Sequence, residues 1–381
     1  MNSHNSEELH IISQDSSKFG FSLYNKVSSP GENTVLSIFT IVNLLLLIRL
    51  GAKKNTLQEI NHALNITEDI DFLQTAYLKL SNLGKLDKNS NLAVANGIFI
   101  SNSSEINQTF INDASKYFSS DIEYVNFSDI MGSTKIINDW VSYQTHEKIQ
   151  DMISENSICP ETVSVLISAL YFKGEWLEKF DPNLTMKQRF HVSPEETIEV
   201  PTMLAEMDIA PVHNDELKST VIALPYRGNR MIMYILLPMD TFGLSELETK
   251  ISSDSFDPSI LDKITGIKKA TKLYLPKFKI ESTHDMKEGL RQQGIIDLFS
   301  RKCDLSGVGG TPGEIYASEV FQKAVIHVNE EGSEMTGATS MTLVPCSLVD
   351  VESLAVDHPF LFIIKDRETG LILFLGRVVR P

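Results

Sequence analysis

Apolar positions recur at helical spacing through the first part of this chain and at strand spacing from Val163 onward. Ser6–Lys26 predicts a helix with Leu9, Ile12, Phe19, Phe21 and Leu23 at helical intervals. The apolar run Leu44–Ile48 predicts part of a buried helix, and Asn55–Leu64 and Asp71–Leu83 continue the helical pattern between polar breaks. Asn91–Ser101 is β-like. Ser133–Asp151 predicts an amphipathic helix with Ile136, Ile137, Trp140 and Val141 on its inner face. Beyond Val163, the runs VSVLISALYF, TVIALPY, MIMYILLP, TKLYLPKFKIE and HPFLFIIKD predict strands, punctuated by Pro and Gly. Asp285–Leu298 predicts one late helix. Helices first and strands later give an α+β class rather than a repeating βαβ unit. No repeat and no Gly/Ser/Pro linker divides the chain, so 1–381 is expected to be a single domain.

One stretch fits neither pattern. Asn329–Ser347 opens on an acidic pair and Gly332, continues through small residues to Ser340, and ends in a strand-like Met341-Thr342-Leu343-Val344 followed by Pro345-Cys346-Ser347. An ordinary surface loop has no need of so long a run of Ser, Thr, Gly and Ala. A segment that is a loop in one state and a buried strand in another would need it, because small residues at alternate positions can enter a sheet without clashing.

Composition narrows the function. A hydrophobic content of 42% supports a full core, and a net charge of −16 disfavours nucleic acid or an anionic membrane surface as partner. No apolar run is long enough to span a bilayer. Three cysteines, Cys159, Cys303 and Cys346, allow at most one disulfide and leave a thiol. The N-terminus lacks an apolar signal core, so the chain is either cytoplasmic or stripped of its signal. Five N-x-S/T sequons at Asn65, Asn102, Asn107, Asn126 and Asn183, little above the number that chance gives a chain so rich in Asn, Ser and Thr, point to an extracellular glycoprotein. The motifs G-x-S-x-G, G-x-x-x-x-G-K-[ST], H-E-x-x-H and C-x-x-C are all missing, which argues against an enzyme, a cofactor and a metal. The glycines of Gly307–Gly313 read as a surface turn, and Cys346 with His358 as nucleophile and base lacks a group to orient the imidazole.

Several motifs in order resemble the serpins, the suicide-substrate inhibitors of serine proteases. They are Leu170-Tyr171-Phe172-Lys173-Gly174-Glu175-Trp176 with Phe180, Thr185 and Phe190, then Leu224-Pro225-Tyr226, Leu237-Pro238 and Leu275-Pro276-Lys277-Phe278. Asp304-Leu305-Ser306-Gly307, Lys323-Ala324 leading into Val328-Asn329-Glu330-Glu331-Gly332, and His358-Pro359-Phe360 through Gly370 to Phe374-Leu375-Gly376-Arg377-Val378 complete the series. The resemblance implies helices packed on large mixed and antiparallel sheets, with an exposed reactive-centre loop at about 330–350. It implies a monomer that needs no cofactor and whose partner is a serine protease. The runner-up is a non-inhibitory serpin acting as carrier or chaperone.

The same resemblance assigns residues. Cleavage is expected between Cys346 and Ser347, with Leu343, Val344 and Pro345 as the flanking bait, and Leu343 and Leu348 as alternative bait positions. Cys346 is small and neutral, which suits an elastase- or chymotrypsin-like pocket and not a trypsin-like one. Glu330, Glu331, Gly332, Ser333, Met335 and Gly337 form the hinge. Ser333–Cys346 is fourteen residues, about 46 Å when extended, enough to thread a sheet. Alternation places Ser333, Met335, Gly337, Thr339, Met341 and Leu343 inward and Glu334 outward. Ser37, Thr40, Ser168 and Gln322 correspond to a polar cluster under the opening of the central sheet, with residues that depart from the family's usual ones. Some relatives bind sulfated polysaccharide on the helix matching Phe72–Leu83, where this chain offers Lys79, Lys85 and Lys88.

Overall fold

The computed structural model describes residues 2–66, 90–253, 256–261, 266–331 and 351–381. The predicted helix Asp71–Leu83, Lys79, Lys85 and Lys88 lie outside the described residues, as do Gly332 to Asp350.

Seven α-helices are present among the described residues: α1 Asn2–Val27, α2 Ile38–Gly51, α3 Lys54–Ala63, α4 Gln108–Phe118, α5 Ile130–Gln144, α6 Leu244–Ile251 and α7 Lys287–Gln292. They pack on three sheets. The central sheet orders β11 (Phe278–Asp285), β12 (Glu319–Val328), β4 (Ser164–Gly174), β2 (Ser90–Ser101) and β3 (Asp121–Val125). A six-stranded sheet orders β1 (Thr34–Leu36), β15 (Ile372–Val378), β14 (Phe360–Asp366), β9 (Met231–Pro238), β8 (Ser219–Pro225) and β7 (Val212–Asn214). A four-stranded sheet orders β13 (Glu352–Ala355), β10 (Lys269–Pro276), β6 (Glu196–Ile209) and β5 (Met186–Ser193).

The central sheet is covered on both faces, which is why β4 reads as a continuous apolar run. Leu166, Leu170 and Phe172 face the main core, which contains α2. Val165, Ile167, Ala169 and Tyr171 face a second core under α5, with Ile137 and Val141. The helix α2 begins at Ser37, whose hydroxyl accepts a hydrogen bond from the Thr40 amide at 3.2 Å and caps the first turn. Buried nearly along its whole length, α2 has no polar face, as expected of a helix threading a core.

Three predicted elements differ from those observed. The amphipathic helix ends at Gln144 rather than Asp151, because the Thr145 hydroxyl bonds the Val141 carbonyl (2.7 Å) and accepts the Ile149 amide (3.1 Å), while His146 and Glu147 turn to positive φ. Ile136, assigned to the inner face, is 47% exposed. The late helix is only Lys287–Gln292, stopped by Gly294 at φ 90° and followed by a 3-10 turn at Asp297–Phe299. TKLYLPKFKIE is two strands in two sheets, β10 and β11, with Lys277 at the corner after Pro276.

The helix α5 lies against the outer face of the central sheet through one close approach. A Cβ on Gly97 of β2 would sit 2.8 Å from Cη2 of Trp140, so only glycine admits the indole there. Trp140 Nε1 donates to Asp121 Oδ2 on β3 at 3.0 Å, which fixes the ring over that gap. Gly97→Val is expected to push Trp140 off β2 and cost about 1–3 kcal/mol, read as a lowered urea midpoint. An unchanged midpoint would mean that α5 does not depend on this contact.

Candidate functional site

The seam between β4 and β12 is the only parallel pairing flanked by antiparallel pairs on both sides in the described central sheet. Eight residue pairs, Glu319↔Val165 to Ile326↔Phe172, align the two strands. The chain runs up β12, and residues 332–350 then connect its upper end to β13 at the edge of the four-stranded sheet. A strand returning from the end of β12 and entering the seam would therefore run antiparallel to both neighbours.

A polar row crosses the inner face of the sheet at mid-height. Asn96, Ser168, Gln322 and His284 occupy mutually paired positions on β2, β4, β12 and β11. The Gln322 amide reads the chain before α2 in both senses: its Oε1 accepts from the Ser37 amide at 2.9 Å, and its Nε2 donates to the Ser37 carbonyl at 2.8 Å and to Thr40 Oγ1 at 3.2 Å. On β11, the Ser282 hydroxyl accepts the Val35 amide at 3.1 Å and His284 Nε2 meets the Val35 carbonyl at 3.2 Å. Burial pushes the His284 imidazole below its usual range, against the opposing pull of the Val35 carbonyl. Three of the four cluster residues, Ser37, Thr40 and Gln322, are thus joined. Ser168 is brought to the same row, but among the described residues its hydroxyl has no partner, and neither do the amide oxygen and nitrogen of Asn96 beside it. Both residues are buried.

Sequence reasoning missed Asn96, Ser282 and His284. Their signal is a polar residue at an inward position of an alternating strand, such as Asn96 between Val94 and Ile98.

At the top of the seam, the hinge residue Glu330 acts as a peg. It is buried, and its carboxylate accepts from Lys277 (2.8 Å to Oε2) and from Thr185 Oγ1 (2.7 Å), while its carbonyl accepts from the Phe180 amide at 3.1 Å. Burial alone would raise its carboxyl; the bonds from Lys277 and Thr185 outweigh that and hold it below the usual carboxylate range. Next to it, Trp176 is buried, stacks on Tyr226 at 4.5 Å, and donates Nε1 to the Asn329 carbonyl at 2.8 Å. Glu331 is half-buried. Gly332, Ser333, Met335, Gly337, Leu343, Val344, Pro345, Cys346, Ser347 and Leu348 lie outside the described residues.

Other candidates resolve differently. His358 is buried, with Nδ1 at 2.8 Å from Asp357 Oδ1 and Nε2 at 2.9 Å from the Pro238 carbonyl, so its ring is engaged on both sides. Gly307–Gly313 is not simply a surface turn. Val308 and Gly309 are buried, the Gly307 amide donates to the Gly51 carbonyl at 3.0 Å, and the Val308 carbonyl accepts from Asn107 at 2.8 Å. Cys159 and Cys303 are free thiols, and burial pushes Cys303 up to about 12. Among the described residues, no His/Cys/Asp/Glu group could hold a metal ion and no helix is long and apolar enough to cross a membrane.

Two expectations follow from this geometry. Gln322→Leu leaves the buried Ser37 amide without an acceptor and should cost about 1–3 kcal/mol, whereas Ser168→Ala removes an unpaired hydroxyl and should be neutral or stabilising. Urea midpoints that fall equally for both would refute this ranking. The second concerns acid. Because the folded state holds the Glu330 carboxyl low, its contribution is present above the unfolded value of about 4.3 and is lost as pH falls through the folded one. Glu330→Gln should lower stability by about 1–3 kcal/mol at neutral pH and weaken the pH dependence below about pH 4.3. Parallel stability–pH curves for the two proteins would contradict the peg.

Comparison with known proteins agrees with this architecture. The family model described as Serpin (serine protease inhibitor) matches residues 14–381. Alaserpin of Manduca sexta is 32% identical over 376 residues, covering 97% of this chain and 94% of its own. Among solved structures, Serpin48 of the insect Tenebrio molitor superposes with a TM-score of 0.87 at 30% identity, over 100% of this chain and 99% of that one. Human thyroxine-binding globulin superposes with a TM-score of 0.88 at 27% identity, over 98% of this chain and 99% of that one. With the model of a family described as serine protease inhibitors matched along nearly its whole length, and a three-sheet fold shared with solved serpin structures, the chain belongs to the serpin family.

Proposed function

We propose that this protein is a suicide-substrate inhibitor of serine proteases whose bait is Cys346. The observation that carries the reading is the closed parallel seam between β4 and β12, with a long small-residue segment leaving the end of β12. The protease serine attacks the Cys346 carbonyl, the Cys346–Ser347 bond breaks, and the Ser347 amine leaves, so that the protease is esterified to Cys346. The freed segment then enters the seam from the top, Ser333 first, between β12 and β4. Entry replaces one parallel pairing with two antiparallel ones and drags the acylated protease along the sheet before water can release it.

The seam's contacts set the conditions for entry. Glu330 and the Trp176–Asn329 bond hold the point from which the segment must turn. Gln322 keeps β12 tied to the start of α2 while β4, through Ser168, contributes no bond to that row. Met335 is the one large inward residue near the start of the strand, and methionine is unbranched and adaptable. A small neutral Cys346 selects an elastase- or chymotrypsin-like primary pocket. All five sequon asparagines are exposed, which supports an extracellular setting for such a target.

The test is incubation with an elastase-like protease, for the parent and for Ser333→Arg. The parent should give an SDS-resistant covalent complex attached through Cys346, as read by mass spectrometry. Ser333→Arg would bury an unpaired charge on entry, at several kcal/mol, and should be cleaved as a plain substrate with most of the complex lost. Plain cleavage of the parent would favour a non-inhibitory role of the kind that the name thyroxine-binding globulin gives that relative.

A further inference from the structure

The outer face of the central sheet carries a second row, and it is cationic. The pairing of β4 with β12 ends at Phe172↔Ile326; Lys173 of β4 and His327 of β12 come one residue beyond it, close enough for the Lys173 charge to act on the His327 imidazole, and His327 pairs directly with Lys279 of β11. All three occupy odd positions, on the face that carries Ala169, Tyr171 and Val325. Adjacent strands lie about 5 Å apart, so these groups crowd one short line across the seam. Like charges directly opposite one another destabilise a sheet. In a chain of net charge −16, this concentration of cations is the reverse of the molecule's overall balance.

The acids nearby are already used. Glu281 pairs with Lys323 at 2.7 Å, and Glu330 with Lys277 at 2.8 Å. Lys148 lies 5.9 Å from the Tyr171 ring centre and adds a further cation to this face. Lys173 is the telling residue. It is only 8% exposed, yet its ammonium has no hydrogen-bond or ion-pair partner among the described residues. Lys279 is exposed, so the row opens to solvent at the β11 edge. Burial, together with Lys173, Lys279 and Lys277, holds the His327 imidazole below its usual range, while Glu330 opposes this weakly.

We propose that Lys173, His327 and Lys279 form a binding site for a free divalent oxyanion, sulfate or hydrogen phosphate, that bridges β4 and β12 across the outer side of their seam. The tetrahedral ion presents oxygens to both strands at once. It supplies the acceptor that Lys173 lacks and converts a repulsive row into a charge-assisted one. Binding should favour protonated His327, and so strengthen as pH falls. By tying the two strands, the ion should oppose their separation; this consequence, unlike the binding, rests on the proposed inhibitory mechanism.

The experiment follows the His327 ring resonance, assigned with His327→Gln, during titration with sodium sulfate at constant ionic strength. Sulfate keeps its charge throughout the range used. A saturable shift is expected, tighter at about pH 5.5 than at about pH 7.5, and lost in Lys173→Met and in the exposed-site variant Lys279→Met. A non-saturating shift, or equal shifts in parent and Lys279→Met, would reduce the effect to salt screening and overturn the site. The second arm measures covalent complex formation with the protease, which saturating sulfate should slow about five-fold in the parent and not in Lys279→Met. Saturable binding with an unchanged rate would overturn the bridging role. Failure to form any complex without sulfate would count against the inhibitory reading instead, with the resonance titration still deciding the site.

Discussion

The arrangement of this molecule turns on one pairing, the parallel contact between β4 and β12. Every other neighbour of these two strands in the central sheet is antiparallel. Parallel ladders are slightly less stable per residue than antiparallel ones, so this pairing relies on the side chains that pack into the two cores on either face as well as on its own bonds. Residues 332–350 follow β12 directly in the sequence, and on the proposed mechanism they supply a third strand for that pairing.

The side chains crossing the seam are unevenly committed. On the inner face, Gln322 binds Ser37 and Thr40 while Ser168 and Asn96 leave buried polar atoms unpaired. Unpaired buried groups cost free energy in the closed state, so they lower the cost of any rearrangement that gives them partners. At the top, by contrast, Glu330 and Trp176 are fully engaged. On the proposed mechanism, the closed sheet is weakly stitched along its length and firmly pinned where the chain must turn.

Much of this was legible in the sequence. The apolar run of β4, the Trp176 region and the ordered motifs gave the α+β class and the family, because buried strands and core aromatics leave strong local signals. The split of TKLYLPKFKIE between two sheets was hidden, since a Pro between two β-like runs does not say that the chain changes layer. Helix ends were misplaced where a single side chain decides them, as Thr145 does through its bonds to Val141 and Ile149. The polar row was half legible: Ser37, Thr40, Ser168 and Gln322 came from the resemblance, but Asn96 and His284 are joined to them only by cross-strand register, which one sequence does not carry.

The central claim is that the closed seam is not the most stable arrangement of this chain once residues 332–350 are cut. Calorimetric melting before and after a single cleavage in that segment, with both fragments retained, tests it most directly. The account predicts that the cut protein melts far above the intact one, with the amides of β4 and β12 more strongly protected from hydrogen exchange. A cut protein that melts at or below the temperature of the intact chain would contradict it.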